Sequence, residues 1–514
     1  MSAAPRKLPG SLETNPALDR WLTINADGTI TVRPGKVEIG QGILTALVQI
    51  VAEELDVAPH RIRIVGAATT LSPDEGITSG SRSIQESGIA LRFAAAEARE
   101  LLLGRAAAKL GGSVEQLSVR DGTVTARAGG SVSYWELADA SLLKRDASGD
   151  AAPKAAADYE LIGRALQRID IPPKVMGAPV YVHDLTLPGM LHARVARPPG
   201  PGMRLAGGDF AEVEAMPGVV KVVRDGSFLA VLARREEQAI RALRRIGRVA
   251  KWEGGGGLPA ADPRYLLECE TEDEVISEKG DVASAQDARS FSAEYTKPHI
   301  AHASLGPSCA LAELKDGRYT IWTHSQGIFP LRHDLAAALG VAEESIDIAH
   351  MEGAGCYGHN GADDVACDAA LIARAHPGAP VRVQWMREDE FAWEPYGSPM
   401  VVRMKAALDG EGRIASWSHD LWSHGHSTRP GGKGGVNLLG AWHLEKPVAA
   451  ALPGNPPLPG GGSHRNAIPL YDFPRQRVTN HLARKAPLRT SSLRSLGAHA
   501  NVFAIESFMD ELAL

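Results

Sequence analysis

Residues 35–55 read GKVEIGQGILTALVQIVAEEL. Leading into them, residues 28–37 alternate polar and apolar side chains (Thr29, Ile30, Thr31, Val32), the period of a half-buried strand. Past the centre, Ile43, Leu44, Leu47, Val48, Val51 and Leu55 recur at the spacing of an amphipathic helix. Gly40-Gln41-Gly42 therefore sits where a strand turns into a helix. The first amides of a helix lack intrahelical partners and face the positive end of its dipole, which suits an anion such as a phosphate. The glycines allow close backbone approach, and Gln41 adds one donor and one acceptor. A turn with no ligand is the other reading these residues allow.

Working outward, residues 1–15 read as an extended arm and residues 61–65 as a further strand. Residues 69–88, TTLSPDEGITSGSRSIQESG, form a loop rich in hydroxyls and amides, as a phosphate or pterin cradle needs, or as an ordinary surface loop has. Residues 89–110 are a helix rich in alanine, and 117–126 a hairpin turning at Asp121-Gly122. Residues 144–159 read as a linker. A smaller α+β domain follows, with strands near 178–183, 189–195 and 218–223 and a basic helix over 236–246. Four glycines at 254–257 end it. Beyond about residue 275 the spacing predicts a strand over 318–324, a helix over 327–339 and the loop EGAGCYGHNGADD at 352–364. A helix over 365–375, a strand over 381–386 and a hairpin over 400–407 and 414–422 come next. Residues 451–462 are a Pro/Gly loop, and a last helix starts near residue 501. The run Gly431-Gly432-Lys433-Gly434-Gly435 lacks the spacing of a nucleotide loop.

With 514 residues, 44% hydrophobic, the chain has material for two or three domains with real cores. A net charge of −6 with interspersed signs gives no basic face for nucleic acid. No apolar run approaches membrane-span length, and the first residues show no export signal, so a cytoplasmic protein is expected. Cys269, Cys309, Cys356 and Cys367 lie far apart, with neither a disulfide framework nor the ligand spacing of an iron–sulfur cluster.

Six motifs together resemble the molybdenum-cofactor-binding subunit of the xanthine dehydrogenase/aldehyde oxidase family, in the branch of isoquinoline 1-oxidoreductase and nicotinate dehydrogenase large subunits. Glu38-Ile39-Gly40-Gln41-Gly42 resembles the cofactor-contacting G-Q-G turn, and Thr78-Ser79-Gly80-Ser81-Arg82-Ser83 the second cofactor loop. Residues 181–198 resemble the start of the hammerhead domain. Thr323-His324-Ser325-Gln326-Gly327 resembles the segment whose glutamine faces the metal's apical oxo group. Gly355-Cys356-Tyr357-Gly358 stands in the place of G-G-F-G, and Arg494-Ser495-Leu496-Gly497 in that of R-G-F-G. The G-Q-G turn comes first here rather than late, an order that selects this branch. The general-base glutamate of a G-x-G-E segment has no counterpart in the 514 residues and is expected outside them, on a second polypeptide or beyond a truncation.

The resemblance implies an α+β fold with molybdenum-cofactor-binding segments at residues 1–160 and 256–514 and an inserted α/β-hammerhead domain at 161–255. It implies cofactor contacts from Gly40, Gln41, Gly42, Ile43, Gly80, Ser81, Arg82, Ser83, Gln326, Gly327, Gly355, Cys356, Tyr357 and Arg494. Gln326 and Arg494 take catalytic roles, and Tyr357, His359 and Arg494 border the substrate. Side chains supply no metal ligand, because the dithiolene sulfurs of a pterin, expected in its cytosine dinucleotide form, hold the molybdenum. The implied activity is that of a molybdenum hydroxylase acting on an N-heteroaromatic ring carbon or an aldehyde with water-derived oxygen. Its electrons leave through 2Fe–2S clusters on a partner subunit, towards a cytochrome or flavin acceptor. Residues 359–361 lack the carboxylate of purine-binding members, which disfavours xanthine. A non-catalytic scaffold that has kept the fold is the alternative. His324, His424 and His426 lie near these motifs without a spacing that shows them converging.

Overall fold

The computed structural model describes residues 7–258, 260–284 and 289–514. Residues 1–6 of the expected arm lie outside them. The rest of that arm is packed rather than extended, with a 3-10 turn at Gly10–Leu12 that buries Leu12. The chain is α+β and divides into two compact units. The first runs to Thr186 and adds residues 317–332 and 342–353; the second comprises 187–316, 333–341 and 354–514.

The first unit is built around the opening stretch. Leu22–Ile24 and Ile30–Val32 pair antiparallel, and Ile62–Ile64 joins Ile30–Val32 in parallel. The helix Ile43–Leu55 buries Leu47, Val48, Val51 and Leu55 against the long helix Ile89–Leu110, whose small Ala90, Ala94, Ala95 and Ala98 admit close approach. The hairpin Leu117–Arg120 and Thr123–Ala126 turns at Asp121-Gly122 as its residues demand. Arg318–Thr323 and Ile346–His350 form a parallel pair in the same unit. The linker expected at 144–159 is instead tied to the helix Ile43–Leu55. The Lys154 ammonium pairs with Asp56 and reaches Glu53 at 3.2 Å, while the Lys154 amide donates to Glu54 at 3.0 Å.

The second unit holds two five-stranded arrays. One has the order Cys309–Lys315, Val381–Gln384, Leu191–Ala196, Phe228–Ala233, Val219–Asp225. The other has the order Glu272–Lys279, Gln476–Ala483, Ile414–His424, Met400–Leu408, Arg289–Lys297. The helix Ala498–Ala513 covers the latter, with Trp417 stacked on Phe473 at 4.8 Å and tilted against Phe508 at 5.5 Å. No strand forms over residues 178–183. Pro179 has no N–H to give a ladder, and the Asp184 carboxylate takes the Tyr181 amide at 3.0 Å, closing a 3-10 turn at Val182–Asp184. Among the described residues no helix is long and apolar enough to cross a membrane.

Candidate functional site

In the first unit the turn is real, and its amides are largely spoken for. Gly40 and Gly42 have φ of +102° and +80°, and Gly42 caps the helix Ile43–Leu55. The expectation of unpaired amides needs correction, because the chain supplies its own anion. Glu38, 2% exposed, accepts the Gly40 and Gly42 amides on Oε1 at 2.9 and 2.8 Å and the Leu44 amide on Oε2 at 3.3 Å. A carboxylate at a helix N-terminus meets both the dipole and the orphan donors. Gln41 folds back on the same turn, donating to the Val37 carbonyl at 2.9 Å and accepting the Ile39 amide at 2.7 Å. Arg168 closes over it, donating to the Gly40 carbonyl at 3.0 Å while its other nitrogens hold Asp170.

The second loop is bolted to this turn. Val37 donates to the Thr78 hydroxyl at 2.9 Å. Thr78 and Gln326 bond reciprocally: the Thr78 amide donates to the Gln326 carbonyl, and Gln326 Nε2 donates to the Thr78 carbonyl, both at 2.8 Å. A Cβ on Gly327 would stand 2.9 Å from the Ile77 side chain, which would have to shift to admit it. Lys36, buried, holds the Glu75 carbonyl at 2.7 Å and the Glu86 carboxylate at 2.5 Å. What these bonds leave open is the stretch from Ser79 to Arg82, which is exposed, with Gly80 and Ser81 in the left-handed region. The amides of Gln41, Gly80 and Ser81 and the hydroxyls of Ser79, Ser81 and Ser83 bond no described residue. Arg82 pairs only with Glu86 among the described residues, at 2.8 Å. This donor set of amides, hydroxyls and one guanidinium fits an anionic or pterin-like group.

In the second unit the segment 355–359 lies alongside 492–494. His359 donates its amide to the Ser492 carbonyl at 2.8 Å, and Arg494 donates its amide to the Tyr357 carbonyl at 2.7 Å. Gly358 has φ of +139°, and a Cβ there would stand 2.0 Å from the Ser492 oxygen. Tyr357 is 41% exposed. Burial pushes the Cys356 thiol up from its ordinary value, so it is a thiol rather than a thiolate. His359 is buried between the Ser491 hydroxyl at 2.8 Å and Asp363 at 3.0 Å, and burial pushes its imidazole down despite that carboxylate. The Arg494 side chain is exposed, followed by Ser495 and Leu496 at φ of +73° and +55°. Non-glycine residues are strained there, and the first of them stands where the R-G-F-G pattern has glycine.

The candidates thus fall into two clusters: 40–43, 78–83 and 326–327 in the first unit, and 355–359 with 494 in the second. The other histidines go elsewhere. His424 Nε2 meets the Tyr265 hydroxyl at 2.9 Å and His426 Nε2 the Ser423 hydroxyl at 3.1 Å, while His324 packs against Gly353.

Two features had no sequence signal. Arg168 reaches the turn from 128 positions away. Glu390 and Glu394, both fully buried, sit one helical turn apart. Glu390 accepts the Ser308 amide, and Glu394 accepts the His302 amide at 2.6 Å. Burial, then the neighbouring Glu390 charge, pushes the Glu394 carboxyl well above its ordinary 4.5. Its folded value lies above its unfolded one. The stability it contributes is therefore complete below about pH 4.5 and lost as pH rises through the raised value. Glu394→Gln, which is neutral at every pH, is expected to flatten that decline. Urea unfolding at a series of pH values checks it, with the parent chain losing up to about 1.4 kcal/mol per pH unit more than the variant.

Comparison with known proteins adds to this geometry. Residues 7–163 and residues 267–444 each match a model of a molybdopterin cofactor-binding domain. A nicotinate dehydrogenase subunit of Pseudomonas putida is 38% identical over 506 residues, which is 96% of this chain and 41% of that protein. The beta subunit of isoquinoline 1-oxidoreductase from Brevundimonas diminuta is 27% identical, over 96% of this chain and 68% of its own length. The chain thus spans well under half of the first of these relatives. Among solved structures, quinoline 2-oxidoreductase from Pseudomonas putida 86 superposes with a TM-score of 0.53 at 18% identity, over 68% of this chain and 48% of that one, a likeness of fold.

Proposed function

This chain belongs to the molybdenum-cofactor-binding subunits of the xanthine dehydrogenase/aldehyde oxidase family, and from that premise we propose that it forms the cofactor-holding part of a molybdenum hydroxylase. The supporting observation is the donor set of the first unit: the Gln41 amide and the serine-loop amides and hydroxyls, with no partner among the described residues. In this reading Gly40, Gln41, Gly42 and Ile43, with Gly80, Ser81, Arg82 and Ser83, hold the pterin and its phosphates, in the cytosine dinucleotide form. Gln326 and Gly327 join them, and Gly355, Cys356, Tyr357 and Arg494 form the second group. Residues 161–255 form the inserted hammerhead domain.

When bound, the cofactor supplies the two-electron oxidation of a carbon next to a ring nitrogen or of an aldehyde, with oxygen from water. The chain's own residues orient and polarise. Gln326, its side-chain amide fixed in orientation by the bond to the Thr78 carbonyl, is the group assigned to the metal end of the cofactor. Tyr357 and His359 border the substrate, and the exposed Arg494 guanidinium stabilises negative charge developing there. The carboxylate that accepts the proton is assigned outside these 514 residues. A 2Fe–2S partner carries electrons to a cytochrome or flavin acceptor, and the complex works in the cytoplasm.

One pair of variants of the purified complex tests the assignment. Gln41→Ala removes the two bonds its side chain makes within the turn and is expected to reduce retained molybdenum about tenfold. Arg494→Ala is expected to retain the metal and lose about a hundredfold in kcat/KM with N-heterocyclic or aldehyde substrates. Full metal content in Gln41→Ala, or metal loss in Arg494→Ala, contradicts these roles.

A further inference from the structure

In the second unit, residues 302–306 form a loop that is fastened through its amides and its carbonyls alike. The buried Glu394 carboxylate accepts the His302 and Ala303 amides on Oε1, at 2.6 and 3.3 Å. Arg387 donates one terminal nitrogen to the Ser304 carbonyl at 2.6 Å and the other to the Leu305 carbonyl at 2.7 Å. Asn360 Nδ2 donates to the Ser304 hydroxyl at 3.1 Å, and the Gly306 amide donates to the Ala354 carbonyl at 2.9 Å. These last two bonds tie the loop to the segment that carries Tyr357. Ala303 sits at φ of +50°, a left-handed conformation that a residue with a Cβ adopts only at a cost.

The side chain this loop presents is apolar and open. Leu305 is 81% exposed, which forgoes roughly 1.5 kcal/mol or more that burial of a leucine would bring. A single exposed leucine on a loose loop is ordinary. This one stands on a backbone held at every turn, so its position is fixed before anything covers it. Its surroundings continue the apolar surface. A carbon added to Gly355 would stand 3.0 Å from the Tyr357 hydroxyl and 3.1 Å from the Leu305 amide, which puts the tip of the Tyr357 ring beside Leu305. The Phe391 ring, 47% exposed, lies 5.8 Å from the Arg387 guanidinium. That cation has both terminal nitrogens committed to the loop carbonyls.

We infer that Leu305 is a specificity-determining residue, whose side chain forms with Tyr357 the apolar wall on which the ring of the substrate packs. The inference rests on the hydroxylase reading, which sets Tyr357 at the substrate, and adds a residue that none of the six motifs contains. The wall discriminates by size. A substrate with an apolar ring beyond its reacting group covers the leucine and gains that burial, and a smaller one gains less of it.

Steady-state kinetics of the purified complex and its Leu305→Ala variant test the wall, with two matched pairs: isoquinoline against pyridine, and benzaldehyde against acetaldehyde. In whichever pair the complex oxidises, Leu305→Ala is expected to lose about tenfold in kcat/KM with the larger member, mostly as a raised KM, and less than about twofold with the smaller. Molybdenum content and unfolding midpoint are expected to stay at the parent's values, because the exposed side chain supports little of the fold. Leu305→Met, which conserves volume, is expected to keep the parent's preference. Equal losses with both members, no loss with either, or a loss of molybdenum in Leu305→Ala overturns the inference alone. A parent complex that holds no molybdenum, or that oxidises neither pair, overturns the hydroxylase reading and the inference with it.

Discussion

Gly358→Ala is expected to lose more than about 4 kcal/mol of stability, or to prevent the second unit from folding. The new Cβ would stand 2.0 Å from the Ser492 oxygen and 3.0 Å from His302 Cε1, on a backbone whose φ of +139° already excludes ordinary residues. Ser492 cannot retreat cheaply. Its carbonyl accepts the His359 amide and its hydroxyl donates to the His426 carbonyl at 2.7 Å. Gly378→Ala is the control, because its φ is +88° but nothing lies within 4 Å of the added carbon. It is expected to cost only about 1 kcal/mol. Comparable unfolding midpoints for the two variants would show that the 355–359 and 492–494 segments are not held as described.

Glu38→Ala is expected to cost about 3 kcal/mol in the first unit. Three amides at the head of a helix lose their acceptor, each left to pay desolvation where Glu38 had been 2% exposed. Glu38→Gln keeps one oxygen and should fall between. The check is amide hydrogen exchange at Gly40, Gly42 and Leu44, expected to accelerate in the alanine variant well before the body of Ile43–Leu55 does. Unchanged exchange at these three amides would mean that water or other groups already serve them. Cofactor retention should drop in the same variant, because the turn that presents the Gln41 amide is shaped by that carboxylate.

The opening stretch is legible in the sequence because its parts agree locally. A polar–apolar alternation, a glycine pair and a helical apolar stripe permit one chain path, and the helices Ile43–Leu55 and Ile89–Leu110 form where their spacing puts them. The role of Glu38 is not legible. A glutamate two residues before a glycine turn looks like surface charge until folding buries it under its own amides. Phe228–Ala233 escapes a reading by periodicity for a related reason. Six consecutive buried residues show no period, so a strand paired on both edges cannot be told from a buried helix by alternation. The strand expected at 178–183 does not form because Asp184 captures a backbone amide locally. Within the candidate site, the motifs announce the loops but not their fastenings. Arg168 over Gly40 and Gln326 against Thr78 join residues more than a hundred positions apart, and only tertiary structure brings such pairs within hydrogen-bond reach.

The role proposed for this chain is tested most directly by the metal content of the native complex, purified without added cofactor and analysed by elemental mass spectrometry, with the pterin released on denaturation. Molybdenum and pterin are expected in equal amounts, approaching one of each per copy of this chain, with iron from a co-purifying partner. A folded complex that contains neither molybdenum nor pterin when isolated from molybdenum-replete cells would contradict that role.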